Sequence, residues 1–300
     1  MSLPARVKLV DVGPRDGLQN EAQPISVQAK VALVEGLVAA GLTHIEVGAF
    51  VNPTWVPQMA NSEQVMQKMA RLASVSYRAL VPNVQGYQRA KAVHASEVAV
   101  FTAASEAFNQ KNINCSIDES FQRIESIFAA AQQDNVAVRG YVSCALGCPY
   151  SGDIDPASVL SVCQRLLDLG CYEVSVADTT GVGTVGSMQR LLDRLVPALG
   201  SEVIALHCHD TYGQALANIA CGLQYGIATI DASVAGLGGC PYAPGSNGNV
   251  ATEDVVYMLN GMGIQTGIDL ATLIRVGEQI SGVLQRPSRS RVALAFRSVK

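Results

Sequence analysis

His207-Cys208-His209 is the most informative tripeptide in the chain. Side chains alternate between faces along a β-strand, so both imidazoles project to one side and the thiol to the other. Two of only four histidines are placed this way. With Ile204, Leu206 and Cys208 facing outward, the pair reads either as ligands for a divalent metal or as hydrogen-bonded core histidines. Asp16 adds a carboxylate and Asn249 a carbonyl oxygen to a metal set. Mixed nitrogen and oxygen donors with open positions suit Mg²⁺ or Mn²⁺ better than tetrahedral zinc. Taken alone, Pro14-Arg15-Asp16-Gly17 is also an ordinary turn sequence.

Glu46 is a carboxylate among apolar strand residues, on the face of His44 and opposite Ile45 and Val47. Such a group needs a partner when buried, and Arg15 is its natural counter-ion. The pair serves as a salt bridge between the first two strands, as catalytic machinery, or as both. Ala235-Gly-Leu-Gly-Gly-Cys-Pro-Tyr242 is a glycine-dense loop carrying one thiol, Cys240. It can close over a ligand and supply an acid, base or nucleophile, or it is a tight turn around a buried cysteine. Gly181-Val-Gly-Thr-Val-Gly186 has the dinucleotide-binding form, but no acidic residue clearly ends the next strand before His207. It reads as a strand-to-helix turn. Asn109-Gln-Lys-Asn112 reads as a solvated polar loop, and His44 and His94 lack ligand spacing.

Eight short β-branched runs must position these groups: Val7–Val12, His44–Val47, Ser76–Val81, Glu97–Phe101, Val136–Val142, Tyr172–Ala177, Val203–Cys208 and Thr229–Val234. Helical patterns lie between them. Ser116 with Glu119 has capping-box spacing, Asp155-Pro156 opens another helix, and Asp269 caps one after the last repeat. The expectation is an α/β fold, a (β/α)8 TIM barrel over about residues 7–262, with helices added over about 268–300. An open doubly wound sheet is the alternative. No linker divides the chain, so residues 1–300 are expected to form a single domain. In such a barrel the reactive groups gather where strands end: Arg15 and Asp16, Glu46, Asp178, His207 and His209, and Cys240 would share one mouth.

Lys and Arg total 21 against 25 Asp and Glu, a formal net charge of −4. That excludes an electrostatic footprint for nucleic acid or an anionic membrane surface. The chain is 49% hydrophobic and 15% charged, which excludes global disorder. No run approaches the roughly 18 apolar residues of a membrane span. Eight cysteines without a Cys-x-x-Cys pair, and no secretory or transit segment, lead us to expect reduced thiols and a cytoplasmic protein.

From Val7 to about Gly267 the chain resembles the 3-hydroxy-3-methylglutaryl-CoA lyase family. The resemblance rests on Val12-Gly-Pro-Arg-Asp-Gly-Leu-Gln-Asn20, Phe50-Val-Asn-Pro-Thr-Trp-Val-Pro-Gln58 and Val142-Ser-Cys-Ala-Leu-Gly-Cys-Pro-Tyr150. It rests also on His207-Cys-His-Asp-Thr-Tyr-Gly-Gln-Ala-Leu-Ala-Asn218, the loop around Cys240, and Gly248-Asn-Val-Ala-Thr-Glu-Asp254. The resemblance implies a Mg²⁺ or Mn²⁺ ion on Asp16, His207, His209 and Asn249, with Arg15, Glu46, Asp178 and Cys240 catalytic. It implies an acyl-CoA substrate, (S)-3-hydroxy-3-methylglutaryl-CoA, cleaved to acetyl-CoA and acetoacetate in leucine degradation and ketone-body formation, by a homodimer. Two positions depart from the pattern: Ala22 stands where family members carry lysine, and Val-Gly-Ala follows Glu46 in place of Thr-Thr-Ser. Three rivals remain: a lyase for a branched 3-hydroxyglutaryl-CoA with a longer C3 substituent, a non-catalytic barrel, and an NAD-dependent enzyme.

Overall fold

The computed structural model describes residues 3–239 and 248–297. Eight parallel strands close into a barrel in chain order: β1 (Lys8–Asp11), β2 (His44–Ala49), β3 (Ser76–Leu80), β4 (Glu97–Ala103), β5 (Ala137–Ser143), β6 (Val174–Asp178), β7 (Ile204–Cys208) and β8 (Thr229–Ala232). Between and after them run α1 (Val27–Ala39), α2 (Ser62–Lys68), α3 (Val84–Ala92), α4 (Glu106–Ile113), α5 (Ile117–Asp134), α6 (Pro156–Leu169), α7 (Val185–Leu199), α8 (Ala215–Gln224), α9 (Thr252–Gly261), α10 (Leu270–Val283) and α11 (Arg291–Arg297). The expected (β/α)8 barrel with C-terminal helices is therefore present, and the open sheet is excluded. No helix among the described residues is long and apolar enough to cross a membrane.

Local chemistry explains where the helices begin. The Ser116 hydroxyl accepts from the Glu119 amide at 3.1 Å while the Glu119 carboxylate accepts from the Ser116 amide at 2.8 Å. Asp155 accepts from the Ala157 amide ahead of Pro156, and Asp269 from the Thr272 amide. Each such cap contributes about 1 kcal/mol. Asp254 anchors the C-terminal helix, accepting from the Ser290 hydroxyl and from the amides of Arg291 and Val292. One expected loop is instead helical: Asn109 and Asn112 belong to α4, and the buried Asn109 amide donates to Ser116 O at 3.1 Å.

The outward faces of the strands, such as Ile204, Leu206 and Cys208 on β7, are buried in an apolar core shared with the helices. The lumen differs from the usual branched-apolar filling. Charged side chains fill it, and some of their contacts join strands that are not neighbours and so cross the barrel. Lys8 on β1 donates to Glu173, which precedes β6, at 2.7 Å. Arg139 on β5 pairs with Glu173 at 2.7 Å and with Asp231 on β8 at 2.8 Å. Arg78 on β3 pairs with Glu97 on β4 at 2.5 Å and receives support from the Tyr172 hydroxyl at 2.9 Å.

The last strand ends two residues earlier than its β-branched run suggests, because Val234–Gly236 turns into a 3₁₀ segment with Ala235 at a φ of 56°. Two buried carboxylates hold this turn. Asp11 accepts from the Gly13 and Val234 amides and the Thr252 hydroxyl, and Glu253 accepts from the Ala235 amide through both oxygens. Burial outweighs those bonds and pushes Asp11 up to about 7 and Glu253 up to about 8. A carboxyl raised on folding binds its proton more tightly in the folded chain, so its contribution is complete below about pH 4 and lost as pH rises through 7 to 8. The urea midpoint should therefore fall between about pH 5 and pH 8, and fall less in Asp11→Asn and Glu253→Gln. An equal fall in wild type and variants would assign the pH dependence to other groups.

Candidate active site

Arg15 and Asp16 sit on a wide π-helical turn, Gly13–Gly17, that leaves β1 toward the mouth of the barrel. Gly17 permits it: a Cβ there would lie 2.7 Å from both Leu237 Cβ and Ser233 Oγ. The turn is thereby pressed against the root of the Cys240 loop. Cys240 itself lies outside the described residues.

Asp16, His207 and His209 form a cluster whose candidate ligand atoms all lie within 4.8 Å of one another. Nε2 of His207 is 4.0 Å and Nε2 of His209 is 3.8 Å from Asp16 Oδ2. Asn249 joins the cluster, but through its amide nitrogen and not the carbonyl oxygen expected of it, because that nitrogen donates to Asp16 Oδ2 at 2.8 Å and to Leu237 O at 3.1 Å. His207 Nδ1 is buried, without a hydrogen bond among the described residues, and faces Asp231 Oδ2 at 3.5 Å. Burial alone would raise the Asp16 carboxyl, but Arg15 and the two histidines hold it well below the usual carboxylate range. An ionised oxygen and two imidazole nitrogens converging on one point are a donor set that fits a divalent cation.

Glu46 and Arg15 are joined as the sequence suggested, Arg15 Nε donating to Glu46 Oε1. The other guanidinium arm reaches Asp16 Oδ1 at 2.5 Å. Burial opposes the Arg15 cation, and Glu46 and Asp16 override it and raise its pKa. Tyr141 completes the arrangement. Its hydroxyl donates to Glu46 Oε2 at 2.9 Å and accepts from Arg139 Nη1 at 2.9 Å, and its ring lies 5.6 Å from the Arg15 guanidinium. Its edge meets the His207 ring at 6.2 Å between centroids and 86° between planes.

Asp178 ends β6 as expected, and burial raises its carboxyl pKa. Oδ2 accepts from the Gly183 amide at 2.9 Å, while Oδ1 is buried without a hydrogen bond among the described residues. The glycine-rich turn after it wraps this carboxylate: a Cβ at Gly183 would lie 2.6 Å from Asp178 Oδ2. Thr184 then caps α7, so the dinucleotide-like pattern is a strand-to-helix turn shaped around an acid. Sequence reading missed Arg139, Tyr141, Ser175 and Asp231. Their signal was a period-two run of polar residues on strands, Arg139-x-Tyr141 and Thr229-x-Asp231-x-Ser233.

Above the cluster opens a cavity of about 1060 Å³, large by the standard of about 300–1,000 Å³ for ligand pockets. Arg15, Asp16, Tyr141, His207, His209 and Gly239 line its floor, and Phe50, Trp55, Leu80, Phe101 and Phe108 are among its walls.

The HMGL-like family model matches residues 6–280. A Pseudomonas aeruginosa 3-hydroxy-3-isohexenylglutaryl-CoA/hydroxy-methylglutaryl-CoA lyase is 55% identical over 296 residues, covering 99% of each chain. The Homo sapiens mitochondrial hydroxymethylglutaryl-CoA lyase is 52% identical, over 98% of this chain and 90% of that protein. The crystal structure of hydroxymethylglutaryl-CoA lyase from Pseudomonas aeruginosa superposes with a TM-score of 0.98 at 54% identity, covering 100% of both chains.

A Mn²⁺ titration read by electron paramagnetic resonance checks the ligand set. Single His207→Ala and His209→Ala changes should each raise the Mn²⁺ Kd by at least about tenfold, in the range seen for lost support at metal sites. An unchanged titration would remove that histidine from the set.

Proposed function

The chain belongs to the HMGL-like family, and we propose that it is a metal-dependent carbon–carbon lyase cleaving (S)-3-hydroxy-3-methylglutaryl-CoA to acetyl-CoA and acetoacetate. The observation that carries the proposal is the convergence of Arg15, Asp16, His207 and His209 on one large cavity, with Glu46 bonded to Arg15 and Asn249 to Asp16. In this reading the cavity takes the acyl-CoA, and the enzyme works as a cytoplasmic homodimer in leucine degradation and ketone-body formation. The cysteines among the described residues are all free, in keeping with a reducing compartment.

The cleavage removes the proton of the 3-hydroxyl, breaks the C2–C3 bond and delivers a proton to the carbon that becomes the acetyl methyl group. Asp16, His207, His209 and Asn249 would hold Mg²⁺ or Mn²⁺, which supplies Lewis acidity at the mouth of the barrel. The hydroxyl proton passes to Asp16 or, directly or through water, to Asp178, which is raised by burial and carries an oxygen without a hydrogen bond among the described residues. Arg15 donates to the thioester oxygen as enolate charge develops there, an interaction worth about 3 kcal/mol. Glu46 and Tyr141 keep that guanidinium aimed, at no cost of rearrangement when the charge appears. Cys240, delivered by its glycine loop, gives the enolate carbon its proton.

A second reading, a longer C3 substituent, is favoured by the double name of the Pseudomonas aeruginosa relative and by the apolar wall of Phe50, Leu80, Phe101 and Phe108. Both acyl-CoA substrates should therefore be tried.

Metal-stripped protein should release acetoacetate from 3-hydroxy-3-methylglutaryl-CoA only when Mg²⁺ is added. No release by folded, metal-replete protein would sink this substrate and leave the longer-chain acyl-CoA as the one to test. Cys240→Ser should lower kcat by about 100-fold or more, as loss of a general acid does, with metal stoichiometry unchanged. Loss of bound metal in that variant would mean that the cysteine serves the ion instead.

A further inference from the structure

We propose that Asp231 is a positioning residue for the metal site: it holds the Nδ1 edge of His207 so that Nε2 is presented toward Asp16. The inference deepens the metal reading above and rests on it. His207 and Asp231 are register partners on the neighbouring strands β7 and β8, so their side chains enter the lumen side by side. Asp231 Oδ2 lies 3.5 Å from His207 Nδ1, which has no hydrogen bond among the described residues. A shift of about 0.5 Å would make that contact an ordinary hydrogen bond. The opposite edge of the ring faces Asp16 Oδ2.

Asp231 is itself held in place by hydrogen bonds. Arg139 donates to both of its oxygens, at 2.8 and 3.1 Å, and the Ser175 hydroxyl donates to Oδ2 at 2.8 Å. A carboxylate neutralised by a guanidinium offers lone pairs only, so the imidazole nitrogen facing it must carry the proton. The Nε2 lone pair is then left free for an ion. The other tautomer would set two acceptors face to face in a dry lumen. The edge of Tyr141 against the imidazole limits rotation of the ring. This is the arrangement by which a carboxylate fixes the orientation and raises the basicity of a metal-ligating histidine.

Two measurements test it. Nitrogen NMR of histidine-labelled, metal-free protein reads the tautomer of each of the four rings, with His207 assigned by its loss in His207→Gln. His207 should be protonated on Nδ1. Asp231→Asn, with its amide turned to the ring and Arg139 on its oxygen, should shift His207 toward the Nε2–H form and raise the Mn²⁺ Kd by about 10–100-fold. Ser175→Ala keeps the carboxylate and should leave the Kd near the wild-type value. An Nε2–H tautomer in the wild type, or wild-type Mn²⁺ affinity in folded Asp231→Asn, overturns the proposal. Should Asp231→Asn not fold, the wild-type tautomer decides alone. A wild-type protein that binds no Mn²⁺ would sink the metal reading instead, while the tautomer still decides the role of Asp231.

Discussion

Arg139 and Asp231 meet across the axis of the barrel, fully buried, and the site is built outward from that contact. A buried ion pair adds little net stability against an apolar filling, but removing one partner costs about 3–5 kcal/mol. The consequence is rigidity of arrangement more than gain in stability. Asp231 reaches His207 on one side, and Arg139 reaches Tyr141, Glu46 and so Arg15 on the other. The histidine edge of the mouth, where the ion is proposed to sit, and the guanidinium beside it are therefore referenced to the same pair.

The mouth draws on turns and loop ends as well. The π turn that presents Arg15 and Asp16 packs directly on Leu237 and Ser233, and Asp11 bonds both the start of that turn and Val234. The turn that carries Asp16 and the root of the cysteine loop are thus tied at their bases by a carboxyl group of perturbed acidity. Asn249, at the far end of the loop, bonds both Asp16 and Leu237. Both ends of the loop that carries the thiol are consequently held against the cluster it is proposed to serve.

Some features were legible in the residues because they are local. Period two places His207 and the residue two positions on together, and the capping spacing of Ser116 with Glu119 needs only one turn of chain. Glu46 announced itself as a charge among apolar strand residues, and its partner Arg15 proved correct. The misreadings also have local causes. Asn109 and Asn112 look like loop residues, yet Asn109 is drawn inside by a bond to a carbonyl beyond its own helix. Val234 looks like strand, yet two buried carboxylates bend the chain before it can pair further.

By itself the sequence determined the order of strands and helices, the caps, and which side chains share a strand face, since each depends on neighbours a few residues away. Only the tertiary structure decided which charge meets which. Arg139 and Asp231 are 92 positions apart, and Tyr141 and Glu46 are 95 apart. Their pairing depends on how the closed barrel staggers its strands, a long-range register that no local pattern encodes. The tautomer proposed for His207 depends in turn on that register, because it alone brings an ionised carboxylate to the imidazole.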